Sequence, residues 1–320
     1  MIKVGIIGGA GYTAGELLRI LLYHSQAELV YVQSTSNGGQ LISHVHHDLL
    51  GETDLTFSAD YHFEVDVVFL CSGHGKSQSF VKGNKIPDSV KIIDLSADYR
   101  IEEAGNDFVY SLPEFNKDVI SKSKHIANPG CFATAIELAF LPLAKNKLIT
   151  DELHITAITG STGAGQAPTE TSHFSWKNNN VSVYKAFEHQ HLAEIEQTLF
   201  GSKTPHPAIN FIPVRGNFSR GIMAVCYTTS DLDIASLKDI YNRFYGDSPF
   251  VFLTDANPDV KQVVNTNKCV LHLEKHGDKV MIISVIDNLL KGASGQAVQN
   301  MNLIFGIDEK EGLMLKPVAF

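Results

Sequence analysis

One cysteine lies where a nucleophile is expected. Cys131 follows Asn-Pro-Gly and precedes FATAIELAFLPLAK, whose composition favours a helix up to Pro142. At a helix start, free backbone amides and the helix dipole lower a thiol pKa and can also hold an oxyanion. The sequence therefore predicts Cys131 as a nucleophile, the alternative being a small buried apolar residue. Cys71, Cys226 and Cys269 end or lie within apolar strands and are predicted to be structural.

Two histidines could serve such a thiol as acid and base. His189 and His191 stand at the start of a helical stretch, and imidazole titrates near neutral pH. The spacing does not choose between them. No third and fourth ligand follows at the spacing of a zinc site, so no metal is predicted. A second group, His44, His46 and His47, lies in a polar segment and is interpreted as a solvated loop.

The N-terminal segment predicts a dinucleotide-binding turn. The apolar run 2–7 predicts a strand, GGAGYTAG follows at 8–15, and leucines then recur with helical spacing. Glycines in a first strand–helix turn allow a diphosphate to approach the helix N-terminus, although a purely structural tight turn remains the alternative. After the next predicted strand, 28–33, Ser34 stands in a segment without Asp or Glu, which favours NADP over NAD.

The remaining pattern predicts two kinds of sheet. Near-continuous apolar strands at 65–71, 90–95 and 124–127 indicate a Rossmann-type, doubly wound parallel sheet, hence an α/β domain. After about residue 150, longer and partly alternating runs indicate an α+β domain with a mostly antiparallel sheet. Those runs are 153–159, 208–214, 221–229, 269–275 and 279–287, with helices predicted over 234–245 and 295–306.

Composition limits the partners. The 320 residues carry a formal charge of -9, which argues against binding to nucleic acid or an anionic membrane. No apolar stretch approaches the roughly 18 residues of a membrane span, and the N-terminus is interpreted as a strand and turn rather than a signal peptide. Four widely spaced cysteines indicate reduced thiols, so a cytoplasmic location is expected.

Taken together, the motifs resemble the N-acyl-γ-glutamyl-phosphate reductases of arginine biosynthesis, within the wider group that includes aspartate-semialdehyde dehydrogenases. The resemblance runs along the whole chain. It rests on GGAGYTAGELLRIL at 8–21, HGKS at 74–77, DLSADYR at 94–100, YSLPE at 110–114, NPGCFAT at 128–134, STGAG at 161–165, HQHLAEIEQ at 189–197 and DNLLKGASGQAVQNMN at 287–302.

The resemblance implies site residues. Cys131 matches the catalytic cysteine, and the acid–base histidine is placed on His191, with His189 second. Arg100 matches an arginine that holds the leaving phosphate, and Arg220 matches one that faces the substrate. The residues that match the binding site for NADP(H) are Gly8, Gly11, Tyr12 and Thr13 at the diphosphate and Asn288 and Gln296 beside the nicotinamide.

The resemblance also implies the organisation and the reaction. Residues 1–128 and 291–320 would form a discontinuous NADP-binding domain, and 129–290 a catalytic and dimerisation domain. The implied reaction is NADPH-dependent reductive dephosphorylation of N-acetyl-γ-glutamyl phosphate through a thioacyl enzyme, which releases inorganic phosphate. A homo-oligomer, dimer or tetramer, is expected.

Several alternatives remain open. Arg215 stands where the family pattern has a different residue, and it could bind a carboxylate on the N-acyl group, which would make the substrate N-succinyl rather than N-acetyl. Aspartate-semialdehyde dehydrogenase is the nearest enzyme alternative. A non-catalytic NADP-binding sensor and a histidine-rich metal-binding module or hydrolase are alternatives from other classes.

Overall fold

The structure, a computed structural model, describes residues 1–73, 75–201 and 204–318. The chain divides into two compact units. The first comprises Met1–Pro129 and Ala293–Met314, and the second comprises Gly130–Gly292 with the segment that begins at Leu315. The sequence prediction assigned that last segment to the first domain. His74 of the HGKS motif lies outside the described residues.

The first unit is built on a parallel sheet. Its strands are β1 (Ile2–Ile7), β2 (Ala27–Gln33), β3 (Val67–Leu70), β4 (Lys91–Asp94), β5 (Val109–Tyr110) and β6 (His125–Ala127), in the order β2-β1-β3-β4-β6-β5. Each recorded pair is parallel. Helices α1 (Tyr12–Leu21), α2 (Lys76–Gly83) and α3 (Pro113–Ile120) belong to the crossovers. The predicted Rossmann-type sheet is confirmed, and the two-residue β5 is its one strand that the sequence pattern did not predict.

The second unit is built on a mixed sheet. Its strands are β7 (Leu153–Thr159), β8 (Ser182–Val183), β9 (Ile209–Arg215), β10 (Ile222–Thr229), β11 (Val251–Leu253), β12 (Cys269–His276) and β13 (Lys279–Ile286), in the order β11-β12-β13-β10-β7-β9-β8. Most neighbours are antiparallel, as predicted, but β7 pairs with β9 and β11 with β12 in parallel. The helices are α4 (Cys131–Lys145), α5 (Phe174–Lys177), α6 (Leu192–Phe200) and α7 (Ile234–Tyr245).

Helix α4 forms the core of the second unit. From Phe132 to Leu143 every residue is buried, and the helix packs against α6, α7, β10 and β13. The helix also continues past Pro142, where the sequence prediction ended it. A proline has no N–H for the carbonyl four residues earlier, and here the Leu138 carbonyl accepts a hydrogen bond of 2.6 Å from the Tyr245 hydroxyl. Tyr245 of α7 thereby satisfies the carbonyl that the proline leaves without a helical donor.

The chain then returns to the first unit. A single π-helical turn over Leu290–Ser294 leads into α8 (Gly295–Ile304), whose residues are all buried. Helix α8 packs against α1 and α3. The apolar stripe of the predicted C-terminal helix is therefore part of the core of the first unit. Its polar residues are held as well, since the Asn300 amide donates to the Ser111 carbonyl at 3.1 Å.

Candidate active site

The proposed nucleophile begins a helix. Cys131 is the first residue of α4, and Gly130 before it has an extended backbone that caps the helix without a side chain. The first turn of α4 contains no acidic residue, so its amides and dipole stay available to an anion. The Gly130 N–H is held by the Glu194 carboxylate at 2.8 Å. Cys131 is partly exposed, as an attacking thiol must be.

Glu194 links that helix start to a histidine. It is almost fully buried in the first turn of α6, and one oxygen accepts the Gly130 bond while the other lies 3.9 Å from His191 Nε2. A carboxylate beside an imidazole orients the ring and stabilises its protonated form. No motif in the sequence pointed to Glu194. The available signal was its position three residues after His191 at a helix start, which puts both side chains on one face.

His189 has a different environment. Its ring packs edge-on against Phe132, Tyr184 and Phe211, and its Nδ1 accepts a hydrogen bond of 3.2 Å from the His191 backbone N–H. Burial, and secondly the nearby charge of Lys185, lowers the His189 pKa from 6.5 to about 4. His189 is therefore neutral at neutral pH and acts as an acceptor that positions the backbone of His191.

The depressed pKa of His189 predicts a pH-dependent loss of stability. Above pH 6.5 the ring is neutral in both states, whereas between 6.5 and about 4 the unfolded chain binds a proton that the folded chain does not. We expect this difference to lower the free energy of unfolding of the wild type by up to about 3 kcal/mol as the pH falls from 6.5 to about 4. His189→Phe should lack this decrease. Urea unfolding near neutral pH and near pH 4 measures it, with exposed His276→Phe as control. An unchanged pH dependence in His189→Phe would contradict this assignment.

Tyr184 connects the nucleophile to Arg215. Burial is the main cause that raises the Tyr184 pKa, and the negative charge of a Cys131 thiolate adds to it, so the two side chains are close enough to interact electrostatically. The Arg215 guanidinium lies over the Tyr184 ring, 4.3 Å from its centroid. The structure thus brings Cys131, His189, His191 and Arg215 into one region of the second unit.

Arg220 is held in a buried ion pair. Its Nε and Nη2 each donate to the Asp287 carboxylate at 3.1 Å, and Asp287 is fully buried. The next residue, Asn288, accepts from the Gly221 N–H at 2.7 Å and donates to the Thr162 hydroxyl at 3.0 Å. Both amide ends of Asn288 therefore hold loops of the second unit.

A Cβ on Gly292 would lie 2.7 Å from the Cys131 Cβ, so glycine is required beside the nucleophile.

In the first unit, the glycine turn has two parts. The Gly8 N–H donates to the Gln33 carbonyl at 3.1 Å, and a Cβ at Gly8, where φ is +82°, would lie 2.7 Å from the Ser72 backbone nitrogen. Gly8 is thus required by strand packing. Gly11 caps α1 without a side chain, and a Cβ there would meet nothing within 4 Å. Tyr12 and Thr13, the first residues of α1, lie at this open helix start.

The other predicted residues of the first unit are buried. Ser34, which directly follows β2, accepts a hydrogen bond of 3.1 Å from the Asn37 amide. Arg100 is 5% exposed and donates to the carbonyls of Asn128 and Leu95 at 2.9 and 3.1 Å. Gln296 is fully buried in α8. His46 is also buried and its Nε2 lies 2.8 Å from the Gly9 carbonyl, so interpreting it as a solvated loop residue was wrong.

Comparison with known proteins identifies the family. The N-acetyl-γ-glutamyl-phosphate reductase of Azobacteroides pseudotrichonymphae genomovar. CFP2 is 60% identical over 321 residues and covers 100% of both chains. The chain belongs to the N-acetyl-γ-glutamyl-phosphate reductase family. Two family models also match the chain. "Semialdehyde dehydrogenase, NAD binding domain" matches residues 3–123 of the first unit, and "Semialdehyde dehydrogenase, dimerisation domain" matches residues 131–288 of the second. The family predicted from the motifs is confirmed.

Solved structures share the fold of the reductase family. Aspartate semialdehyde dehydrogenase II of Vibrio cholerae, complexed with ASA, has a TM-score of 0.74 at 16% identity and covers 96% of this chain and 98% of that one. Aspartate semialdehyde dehydrogenase with NADP from Candida albicans has a TM-score of 0.71 at 13% identity and covers 95% and 98%. Among the described residues of this family member, no helix has both the length and the apolar character to cross a bilayer.

Proposed function

We propose that the chain catalyses the NADPH-dependent reductive dephosphorylation of N-acetyl-γ-glutamyl phosphate to N-acetylglutamate semialdehyde, in arginine biosynthesis. One observation carries the proposal: Cys131 opens α4 beside a Glu194–His191 pair, in a chain 60% identical to a reductase of that name. A nucleophile, an acid–base group and a helix start for an oxyanion are the parts that acyl transfer to a thiol requires.

The first unit fits a dinucleotide. The open N-terminus of α1 at Gly11 offers backbone N–H groups to a diphosphate, and no acidic residue occupies that turn. The segment that follows β2, residues 34–37, contains no Asp or Glu that would repel a 2′-phosphate. Gly11, Tyr12, Thr13 and Ser34 would hold NADP(H), with Gly8 supporting the turn. When bound, the cofactor supplies the hydride that reduces the acyl group.

Cys131 would perform the covalent step. His191 accepts the thiol proton, the sulfur attacks the acyl carbon, and a C–S bond replaces the C–O bond to phosphate. The phosphate leaves with that electron pair. The amides at the start of α4 stabilise the oxyanion of the addition intermediate. After reduction, His191 accepts the hydroxyl proton of the hemithioacetal as the C–S bond breaks, the thiolate leaves and the aldehyde is released.

Charged side chains would position the substrate. Arg100 is proposed to bind the leaving phosphate and Arg220 to orient the substrate, since a guanidinium matches phosphate and carboxylate geometry. Asn288 and Gln296 are proposed to act beside the nicotinamide.

Residues 1–128 and 291–320 would serve as the cofactor domain and 129–290 as the catalytic domain. We further propose a cytoplasmic homo-oligomer that assembles through the second domain, whose family model is that of a dimerisation domain.

The activity is tested in the reverse direction. Purified protein should reduce NADP⁺ in the presence of N-acetylglutamate semialdehyde and inorganic phosphate. Omission of phosphate should abolish continued turnover, because the thioacyl enzyme then has no acceptor for its acyl group. Aspartate semialdehyde is the comparison substrate, and it should give a much smaller kcat/KM. A preference for aspartate semialdehyde, or NADP⁺ binding without turnover of either aldehyde, would overturn the proposal in favour of the other enzyme or of a sensor.

A further inference from the structure

The second unit contains a pocket whose charges are all positive. Lys177, Lys185 and Arg215 line it together with Tyr184 and His189, and its other lining residues are Ser, Thr, Gly, Ala and Gln. Among the residues that the structure describes, no Asp or Glu lines this pocket. We refer to it as the cationic pocket. In a chain with a net charge of -9, three cations gathered without a carboxylate indicate a site for an anion.

Lys177 is the clearest evidence that the pocket can bind an anion. Its Nζ is buried, and among the described residues no hydrogen-bond partner lies within reach. Burial, and secondly the charge of Arg215, lowers the pKa of Lys177. A buried ammonium without a partner is costly, and a carboxylate bound between Lys177 and Arg215 would relieve both the desolvation and the repulsion.

Arg215 is held in place for such a contact. It ends β9, its Nη1 donates to the Thr171 hydroxyl at 2.5 Å, and its guanidinium rests on the Tyr184 ring. The bond to Thr171 uses one of five guanidinium donors. A stacked and tethered guanidinium loses little side-chain entropy when it binds a carboxylate in a bidentate manner.

The pocket lies on the side of the nucleophile. Tyr184 and His189 line it, and the His189 ring packs against Phe132, the residue that follows Cys131 in α4. Arg220, in contrast, already faces the buried carboxylate of Asp287. The cationic pocket is therefore a better binding position for a substrate carboxylate than Arg220. Among the lining residues described, no carboxylate of the protein already neutralises its cations.

We infer that the cationic pocket is the carboxylate subsite of the substrate, with Lys177 and Arg215 as the binding residues and Tyr184 as the positioning residue for Arg215. The inference rests on the proposed function. The same chemistry has two possible sources in an N-acylglutamyl substrate. One is the α-carboxylate, and the other is a terminal carboxylate on a dicarboxylic acyl group such as succinyl.

Equilibrium binding tests the subsite without turnover. N-acetylglutamate and N-succinylglutamate are titrated calorimetrically, in phosphate-free buffer with NADP⁺, into wild type, Lys177→Met and Arg215→Met. We expect each pocket variant to weaken binding by about 10- to 100-fold, the range for hydrogen bonds to charged groups. Lys238→Met and Arg243→Met remove the same charges at surface ion pairs and should bind both probes as wild type does. Arg215→Lys should recover only part of the affinity.

The outcomes separate the two sources. An equal loss for both probes assigns the pocket to a carboxylate of the shared glutamate moiety, and a loss confined to N-succinylglutamate assigns it to the acyl carboxylate. Unchanged binding of both probes in Lys177→Met and Arg215→Met, with NADP⁺ affinity retained as evidence of folding, overturns the inference. A wild-type protein that binds the probes in a pocket-dependent manner but turns over neither aldehyde would refute the proposed function and leave the subsite standing.

Discussion

Cys131→Ser is expected to lower kcat by about 10⁴-fold or more, while the affinity for NADP⁺ stays at the wild-type value. A serine hydroxyl at a helix start remains protonated at neutral pH, so the dipole and amides at the start of α4 cannot make it a comparable nucleophile. The volume change is small, and Cys131 is only partly buried, so the fold should persist. Steady-state assays with phosphate and N-acetylglutamate semialdehyde measure the loss, and fluorescence titration measures cofactor affinity.

Cysteine reactivity provides an independent measurement of the same assignment. Iodoacetamide should label Cys131 first in wild type, and preincubation with the aldehyde substrate should slow the labelling. Burial raises the pKa of Cys71 to about 12 and raises that of Cys226, so these thiols should react slowly. Cys269→Ser, which changes a buried strand residue, is the matched control and should keep its turnover. Near wild-type turnover in Cys131→Ser, or faster labelling at another cysteine, would refute the covalent mechanism.

Local signals were sufficient to predict the start of α4 and the first βα unit. A glycine turn between an apolar strand and an amphipathic helix has few alternatives, and β1 and α1 lie where periodicity placed them. The extent of α4 was less predictable. Its continuation through Pro142 depends on Tyr245, a residue more than a hundred positions later whose hydroxyl satisfies the carbonyl that proline leaves free.

Long-range contacts also explain what the sequence analysis missed at the site. Parallel pairing of β7 with β9 brings Thr159 opposite Arg215, and no local pattern predicts that register. The cationic pocket follows from this pairing together with the placement of Lys177. At His46 the polar local sequence predicted exposure, but the side chain is buried and its imidazole bonds to the carbonyl of Gly9. Side chains that act through another element require the three-dimensional structure.

The second large effect is expected at the histidine. His191→Asn should lower kcat/KM by about 10²- to 10⁴-fold, since proton transfer by a positioned side chain contributes that much. The reason is its position: His191 pairs with Glu194, which also holds the N–H of Gly130 immediately before Cys131. His189→Phe keeps an aromatic ring in the same packing and should cost less than about 10-fold, because the backbone N–H of His191 loses one acceptor.

The pH profile of kcat/KM distinguishes a catalytic from a positioning role. Glu194→Gln keeps an oxygen for the Gly130 N–H but removes the negative charge beside His191. We therefore expect the acidic limb of the profile to move to lower pH in Glu194→Gln, since a carboxylate stabilises the imidazolium, and to disappear in His191→Asn. If His189 were the base, its burial would put that limb near pH 4 and His189→Phe would remove it. That result, with turnover retained in His191→Asn, would reverse the two assignments.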